Sequence, residues 1–285
     1  KQEALPSFTL KGVKLTFNLD ADYQVVRTQY TRNVVGIIEG ADPKLNDTYV
    51  AFGAHYDHVG YGSRSNSYGP IGNIHNGADD NASGVAALLC ISSQLRAKAA
   101  QLAPNGTIRM VAFTNEEPPH FQQPSMGSLV YARQCRSRQE NIVAMYSLET
   151  MGYYTNQANT QKYPAFPAGS YPTTGNFLTF VGAGEVAGEE SLLLHTVSAF
   201  RDKAQFPSEG LMAPSTIAGV GWSDHWSFWQ IGTPAIMITD TALFRNPNYH
   251  KSSDQLSTIS VAALATLTCA LSDTFWAMAN SFGAR

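Results

Sequence analysis

The sequence predicts an α/β fold: a single domain with a central mixed, mostly parallel β-sheet covered by helices on both faces. Three observations carry this. Short β-branched and aromatic runs alternate with helix-length segments along the chain, the order expected of an α/β sheet. Several of the strand-length runs show little polar alternation, as strands buried on both sides do. The 285 residues show no internal repeat, low-complexity stretch or clear linker, so one domain with a large core accounts for them.

Val13, Leu15, Phe17 and Leu19 alternate with polar neighbours, which predicts a strand with one buried face. Further strands are predicted at Asn33–Ile38, Tyr49–Ala54, Thr107–Phe113, Ile142–Leu148, Phe177–Val181 and Ala235–Ile238. Helices are predicted at Ser83–Gln101, Ser125–Arg138, Glu189–Arg201, Ser223–Ile231 and Ile259–Phe282. Within the last, Val261–Phe282 is fairly apolar, but Asp273 and several Ser and Thr interrupt it. It reads as a buried C-terminal helix and not as a membrane span. Thr155–Gly175 is rich in Pro, Tyr, Asn and Thr without a period. A surface loop of that length is expected to carry function.

Charge and cysteine content narrow the function. Charged residues are only 14% of the chain, and 19 basic against 22 acidic residues give a net charge of −3. There is no basic surplus to displace counterions from a phosphate backbone, which argues against a nucleic-acid partner. Cys90, Cys135 and Cys269 are widely spaced with no C-x-x-C, so a thiolate zinc site and a small disulfide scaffold are excluded. One disulfide with one free thiol is compatible with the count. The chain starts at Lys1 without a Met or a signal segment, and the expectation is a processed or excised product.

The few acids are concentrated. His55-Tyr56-Asp57-His58 follows the strand Tyr49–Ala54, where open α/β sheets bind ligands. His55 and Asp57, two apart, share one side of an extended chain, and a carboxylate beside a ligating imidazole orients it. Asn76-Gly77-Ala78-Asp79-Asp80-Asn81-Ala82-Ser83-Gly84 leads into a helix; two adjacent acids and two glycines exceed what a helix cap needs. Glu116-Glu117 follows the strand Thr107–Phe113. Adjacent carboxylates repel unless a cation answers them, and with a metal one can ligate while the other serves as a base. Glu149 ends the strand Ile142–Leu148, and His250 follows the strand Ala235–Ile238 and a short loop. Nitrogen and carboxylate donors without sulfur suit Zn²⁺, with Mn²⁺ or Co²⁺ as alternatives. Two His and three acids exceed one tetrahedral zinc and suit two metals sharing a carboxylate.

These motifs, in this order from about Asn33 to Asp254, resemble the M28 family of zinc peptidases, the aminopeptidase type related to glutamate carboxypeptidase. The carrying residues are His55-Tyr56-Asp57, the run Asn76–Gly84, Asn115-Glu116-Glu117, Ser147-Leu148-Glu149 and Tyr249-His250. Ser223-Asp224-His225 through Gly232-Thr233-Pro234-Ala235-Ile236 also looks like the family's helix-to-strand signature. The resemblance implies a zinc-exopeptidase, phosphorylase/hydrolase-like fold. It implies two Zn²⁺ bridged by Asp79, one site completed by His55 and Glu149 and the other by Glu117 and His250. It implies Glu116 as general base and then acid, Asp57 as the residue that orients His55, and a cis Asp79–Asp80 peptide. The implied activity is hydrolysis of peptide bonds, releasing N-terminal amino acids by a metal-activated water. The expected partner is a peptide substrate, and the expected location is secreted, periplasmic or cell-envelope. Glu149 stands where the best-known members often have Asp. No Tyr precedes Ser223-Asp224-His225, so an oxyanion-holding Tyr is unassigned there. The resemblance also allows Lys1–Arg32 to be the flank of an excised or absent apical domain.

Other functions compete with this one. A single-zinc glutaminyl-cyclase-like aminoacyltransferase shares the fold but normally lacks the intact Asp-Asp-Asn-Ala-Ser-Gly turn. A non-catalytic binding protein on a peptidase fold is expected to lose ligands. Gly182-Ala183-Gly184-Glu185-Val186-Ala187 is a degenerate G-x-G-x-x-A after a strand; no acid ends a second strand at the required distance, so a nicotinamide site is not expected. No G-x-S-x-G occurs, which argues against a serine hydrolase. His195 reads as structural, His75 and His120 as loop residues that could line a pocket. Asp254 could buttress His250 or cap a turn, Asp224 could be a supporting residue or a helix cap, and Arg245 could read a substrate carboxylate or face solvent.

Overall fold

A computed structural model of the chain describes residues 8–10, 13–18, 31–164 and 169–281. Leu19 of the first alternating run, Phe282 of the last helix and most of Lys1–Arg32 lie outside the described residues. Eleven strands are present among them: β1 (Phe8–Leu10), β2 (Val13–Asn18), β3 (Asn33–Ile38), β4 (Thr48–His55), β5 (Gly60–Tyr61), β6 (Ile74–His75), β7 (Thr107–Phe113), β8 (Asn141–Leu148), β9 (Leu178–Gly182), β10 (Ser208–Met212) and β11 (Ala235–Thr239). The helices are α1 (Gly84–Ala99), α2 (Gly127–Ser137), α3 (Glu189–Lys203), α4 (His225–Trp229) and α5 (Val261–Ser281).

Nine strands form one mixed sheet in the order β1-β2-β3-β7-β4-β8-β11-β9-β10, and β5 pairs with β6 in a separate hairpin. The centre of the sheet, β7-β4-β8-β11, is parallel throughout. Antiparallel pairing enters at β1–β2–β3–β7 on one side and between β9 and β11 on the other. The short strand β10 was not read from the sequence; Ser208-Glu209-Gly210 gives it no apolar alternation, and pairing with β9 makes it a strand.

The period-two alternation of side chains splits the core in two. On β4, Val50, Phe52 and Ala54 join α1, α3 and α5 in one apolar layer, while Ala51 faces the layer containing α2 and α4. On α5, Leu267, Leu271, Phe275 and Met278 are buried, and Phe275 stacks on Phe52 with ring centroids 4.7 Å apart. By length and composition α5 could cross a membrane, but its apolar side packs on the sheet, as a core helix does.

The parallel centre fixes where function can sit. His55 of β4 is level with Phe113 of β7, Gly53 with Ser147 of β8, and Ile238 of β11 with Leu148 of β8. The carboxyl ends of four strands therefore converge on one edge of the sheet, the edge at which such sheets bind ligands.

Candidate metal centre and adjoining cleft

Each strand end hands its chain to one part of the site. His55 is the last residue of β4 and is fully buried. Its Nδ1 lies 3.1 Å from the main-chain oxygen of Asp57. A proton on Nδ1 satisfies that oxygen and leaves Nε2 as a lone-pair donor. The Asp57 carboxylate is 3.6 Å from the same nitrogen. It also accepts the backbone N–H groups of Glu116 and Glu117 at 3.2 and 3.1 Å. Asp57 thus ties the β4 and β7 ends together as well as flanking His55.

The acidic turn corrects the expectation for Asp79. The carboxylate between the two histidines belongs to Asp80: Oδ1 is 3.3 Å from His55 Nε2 and Oδ2 is 2.9 Å from His250 Nε2. Asp79 points the other way, accepting hydrogen bonds from Asn246 Nδ2 at 2.6 Å and the Gly152 N–H at 2.9 Å. Asp80 has an extended backbone, φ −108° and ψ 92°, and consecutive side chains of an extended chain diverge. The cis peptide is likewise one residue later than expected, at Asp80–Asn81.

The remainder of the run builds this turn. Gly77 has φ +64°, and a Cβ there would lie 2.3 Å from the Asp80 carbonyl oxygen. At Gly84 a Cβ would lie 2.3 Å from Asn81 Oδ1 and 2.5 Å from the Leu148 carbonyl oxygen. Only glycine fits either position. Asn81 donates to the Leu148 carbonyl at 2.8 Å and Ser83 Oγ accepts the Met151 N–H at 2.8 Å, joining the turn to the end of β8. Asp254 accepts the N–H groups of Asp79 and Asp80 at 2.9 to 3.1 Å. It therefore caps the turn and does not buttress His250.

Two donor sets result, His55/Asp80/Glu149 and Asp80/Glu117/His250, each with its ligand atoms within 4.8 Å of one another. Glu149 Oε2 is 3.1 Å from His55 Nε2 and accepts the Ser223 hydroxyl at 2.8 Å. Glu117 Oε2 is 3.5 Å from His250 Nε2. His55 Nε2, Asp80 Oδ1 and Glu117 Oε1 are buried without a hydrogen-bond partner. Buried polar atoms are rarely left so, and all three are metal-donor types belonging to these two sets. The residues present fit a divalent metal.

The electrostatics agree. Burial and the neighbouring carboxylates Glu149 and Glu117 hold Glu116 well above the usual carboxylate range. Burial and the Asp80 charge push Glu117 up to about 8. Burial opposes the charged form of His250, yet its contacts with Asp80 raise it to about 9. Among the described residues, the ion-pair partners of Asp80, Glu117 and Glu149 are histidines only. In a site rich in like charges, the protons stand where a cation belongs.

An apolar cleft, open to solvent, begins at Glu149 and is walled by Val181, Leu211, Val220, Met237 and Phe244. Gln161, Lys162, Tyr163 and Pro164 of the long loop line it too. Tyr249 stands at the junction: it lines the cleft, stacks on His250 at 4.1 Å, and feels the charges of Asp80, Glu149, Glu117 and Glu116. Its sequence signal is adjacency to His250. Arg245 neither faces solvent nor reaches the cleft. It is buried, donates to Gln161 Oε1 and the Phe177 carbonyl, and lies over the Phe177 ring. His75 and His120 bond to Ser67 and Ser125, and His195 to the Ser191 carbonyl one turn back. Asp224 is fully buried beside the centre, and burial raises it to about 7. The amides of Ala183 and Gly184 are occupied by the Glu189 carboxylate at 2.8 and 3.0 Å, so the degenerate glycine motif presents no free phosphate cradle.

Comparison with known proteins places this geometry in a family. The model of peptidase family M28 matches residues 33–274. The chain belongs to that family of peptidases. It is 35% identical over 261 residues to the Escherichia coli (strain K12) uncharacterized protein YfbL, covering 90% of this chain and 73% of that one. The fold is similar to that of BSAP, a zinc aminopeptidase from Bacillus subtilis, with a TM-score of 0.61, 19% identity and coverage of 90% and 52% of the two chains. It is also similar to a Bacteroides thetaiotaomicron glutaminyl cyclase, with a TM-score of 0.63, 17% identity and coverage of 93% and 84%. The chain spans about half the length of BSAP, and 61% and 60% of the Legionella LapA and LapB chains whose fold it shares.

Proposed function

We propose that this protein is a zinc-dependent exopeptidase that releases N-terminal amino acids, with two metal ions held by His55/Asp80/Glu149 and Asp80/Glu117/His250. The observation that carries this reading is the pair of donor sets sharing Asp80, with unpartnered donor atoms in both. The likeness to a zinc aminopeptidase supports zinc as the metal. When bound, the metals supply Lewis acidity and lower the pKa of water.

The chain's own residues supply the rest. Glu116 is carried beside the donor sets, with its carboxylate 3.9 Å from His55 Nε2, and is the acid left over once Asp80, Glu117 and Glu149 ligate. It takes the proton of the attacking water and returns it to the leaving amine. Asp57 fixes that arm by holding the Glu116 and Glu117 amides. The Tyr249 phenol donates to the oxygen that gains charge at the scissile carbonyl. The apolar cleft takes the side chain of the residue released, and the carboxylate surplus suits its free ammonium group. Arg245 is buried and does not line the cleft, so it offers no seat there for a substrate carboxylate, which disfavours carboxypeptidase action.

A panel of aminoacyl-nitroanilides and N-acetylated peptides, assayed with and without chelator, tests the reading. Chelator-sensitive release from free-amine substrates is expected, fastest with large apolar first residues. Cleavage of acetylated substrates alone would overturn it. Cyclisation of N-terminal glutamine without peptide hydrolysis would instead favour the glutaminyl-cyclase reading.

A further inference from the structure

The three cysteines occupy two different environments. Cys135 is on the buried face of α2, where burial and Glu140 push its thiol up to about 12. Cys90 on α1 and Cys269 on α5 are both exposed. The Gln94 side-chain amide touches both, with Nε2 3.5 Å from Cys90 Sγ and 3.7 Å from Cys269 Sγ. These two contacts put the sulfurs no more than about 7 Å apart with the Gln94 amide between them, so a disulfide requires rotation of both cysteine side chains, displacement of that amide and an approach of the helices toward disulfide geometry.

The helix register explains why both sulfurs lie against Gln94. Gln94 contacts Cys269, Lys98 pairs with Asp273, and beyond α1 the Asn105 N–H bonds Asn280. Each contact has the same sequence offset, so the two segments run side by side in parallel. Cys90 lies one turn before Gln94, on the same helix face.

We propose that Cys90 and Cys269 form a reversible disulfide that staples α1 to α5. This rests on neither the metal nor the catalytic reading. One thiolate attacks a small-molecule disulfide, releasing one thiol and forming a mixed disulfide. The second thiolate displaces the other half. In sum, two protein thiols lose two electrons and two protons, and the oxidant is reduced to two thiols. The bond closes a loop containing Glu116, Glu117, Glu149 and His250. It also braces the floor of the acidic turn. α1 begins directly after Ser83, and the Ser260 N–H just before α5 holds the carbonyl of Gly152, whose own N–H holds Asp79. Closing so long a loop restricts the unfolded chain.

The test treats the full chain with oxidised glutathione. Expected is a monomer lighter by about 2 Da, with the Cys90 and Cys269 peptides joined in a non-reduced digest and no thiol left to react under native conditions. The melting temperature is expected to rise by at least about 4 °C and to fall back with dithiothreitol. Cys135→Ser should leave this unchanged, whereas Cys90→Ser and Cys269→Ser should each yield only a glutathione adduct. Two glutathione adducts on the unaltered chain without linked peptides, or a covalent dimer through these cysteines, would overturn the proposal.

Discussion

The two ends of the central strands handle buried charge in opposite ways. Toward the amino ends, Arg109 of β7 is buried and pairs with Glu140, which Arg138 also holds at 2.9 Å. The guanidinium lies 3.8 Å over the Tyr49 ring. Hydrogen bonds from Arg109 and Arg138 overcome partial burial and hold the Glu140 carboxyl at about 2. That end pairs its opposite charges within the chain. At the carboxyl ends, Asp80, Glu116, Glu117 and Glu149 crowd together, and burial with mutual repulsion pushes Glu116, Glu117 and Glu149 upward. Asn115, Thr150 and His250 there carry positive φ of 56°, 47° and 51°, conformations that cost on the order of 1 kcal/mol or more each outside glycine. One end is built for stability and the other tolerates cost for a ligand the chain does not itself contain.

The largest expected effect breaks the unsatisfied end chemically. Glu116→Gln should lower kcat by about two orders of magnitude or more while leaving metal content near normal. Steady-state assays with elemental analysis check both; wild-type turnover would remove Glu116 as the base. Next, Asp80→Asn should cut bound metal and activity together, since its carboxylate serves both donor sets. Asp79→Asn should keep metal and lose about 1–3 kcal/mol of stability through its buried hydrogen bonds. Equal metal loss in both variants would undo the assignment of Asp80 over Asp79.

Chelation sharpens the comparison without mutation. Removing bound metal should lower the melting temperature by at least about 5 °C, since a ligand at a hundredfold its Kd stabilises by about 2.7 kcal/mol. An unchanged transition by calorimetry would deny the coupling. The smallest effect concerns the charge-paired end. Glu140→Gln should cost about 2 kcal/mol, less than a fully buried pair because Glu140 is partly exposed, with no change in metal content. The Glu140 carboxyl lies lower folded than unfolded, so its stabilisation is full above about pH 4.5 and is lost as pH falls toward about 2. Denaturant titrations of wild type and variant across that range should converge at the acid end; a constant gap would contradict the pairing.

Much of the site was legible because its residues follow strands whose own pattern is strong. His55, Glu116, Glu117 and Glu149 end or follow β4, β7 and β8, and a parallel sheet necessarily gathers those ends. The β10 strand was not legible, because its pairing and not its composition defines it. Arg245 was misread for a related reason: a charged side chain beside a loop gives no local sign that Gln161 and Phe177 will enclose it.

By itself the sequence determined the sheet-and-helix alternation, the acidic turn with its two glycines, and the edge where donors converge. Those features depend on local pattern and on strand direction, both carried by neighbouring residues. Only the tertiary structure decided between Asp79 and Asp80, placed Tyr249 at the seam of donors and cleft, and set Asp254 as the cap of the turn. These choices depend on where a side chain points within an extended turn, and that is fixed by Asn246, Gly152 and Asp254, which arrive from strand ends and loops far along the chain.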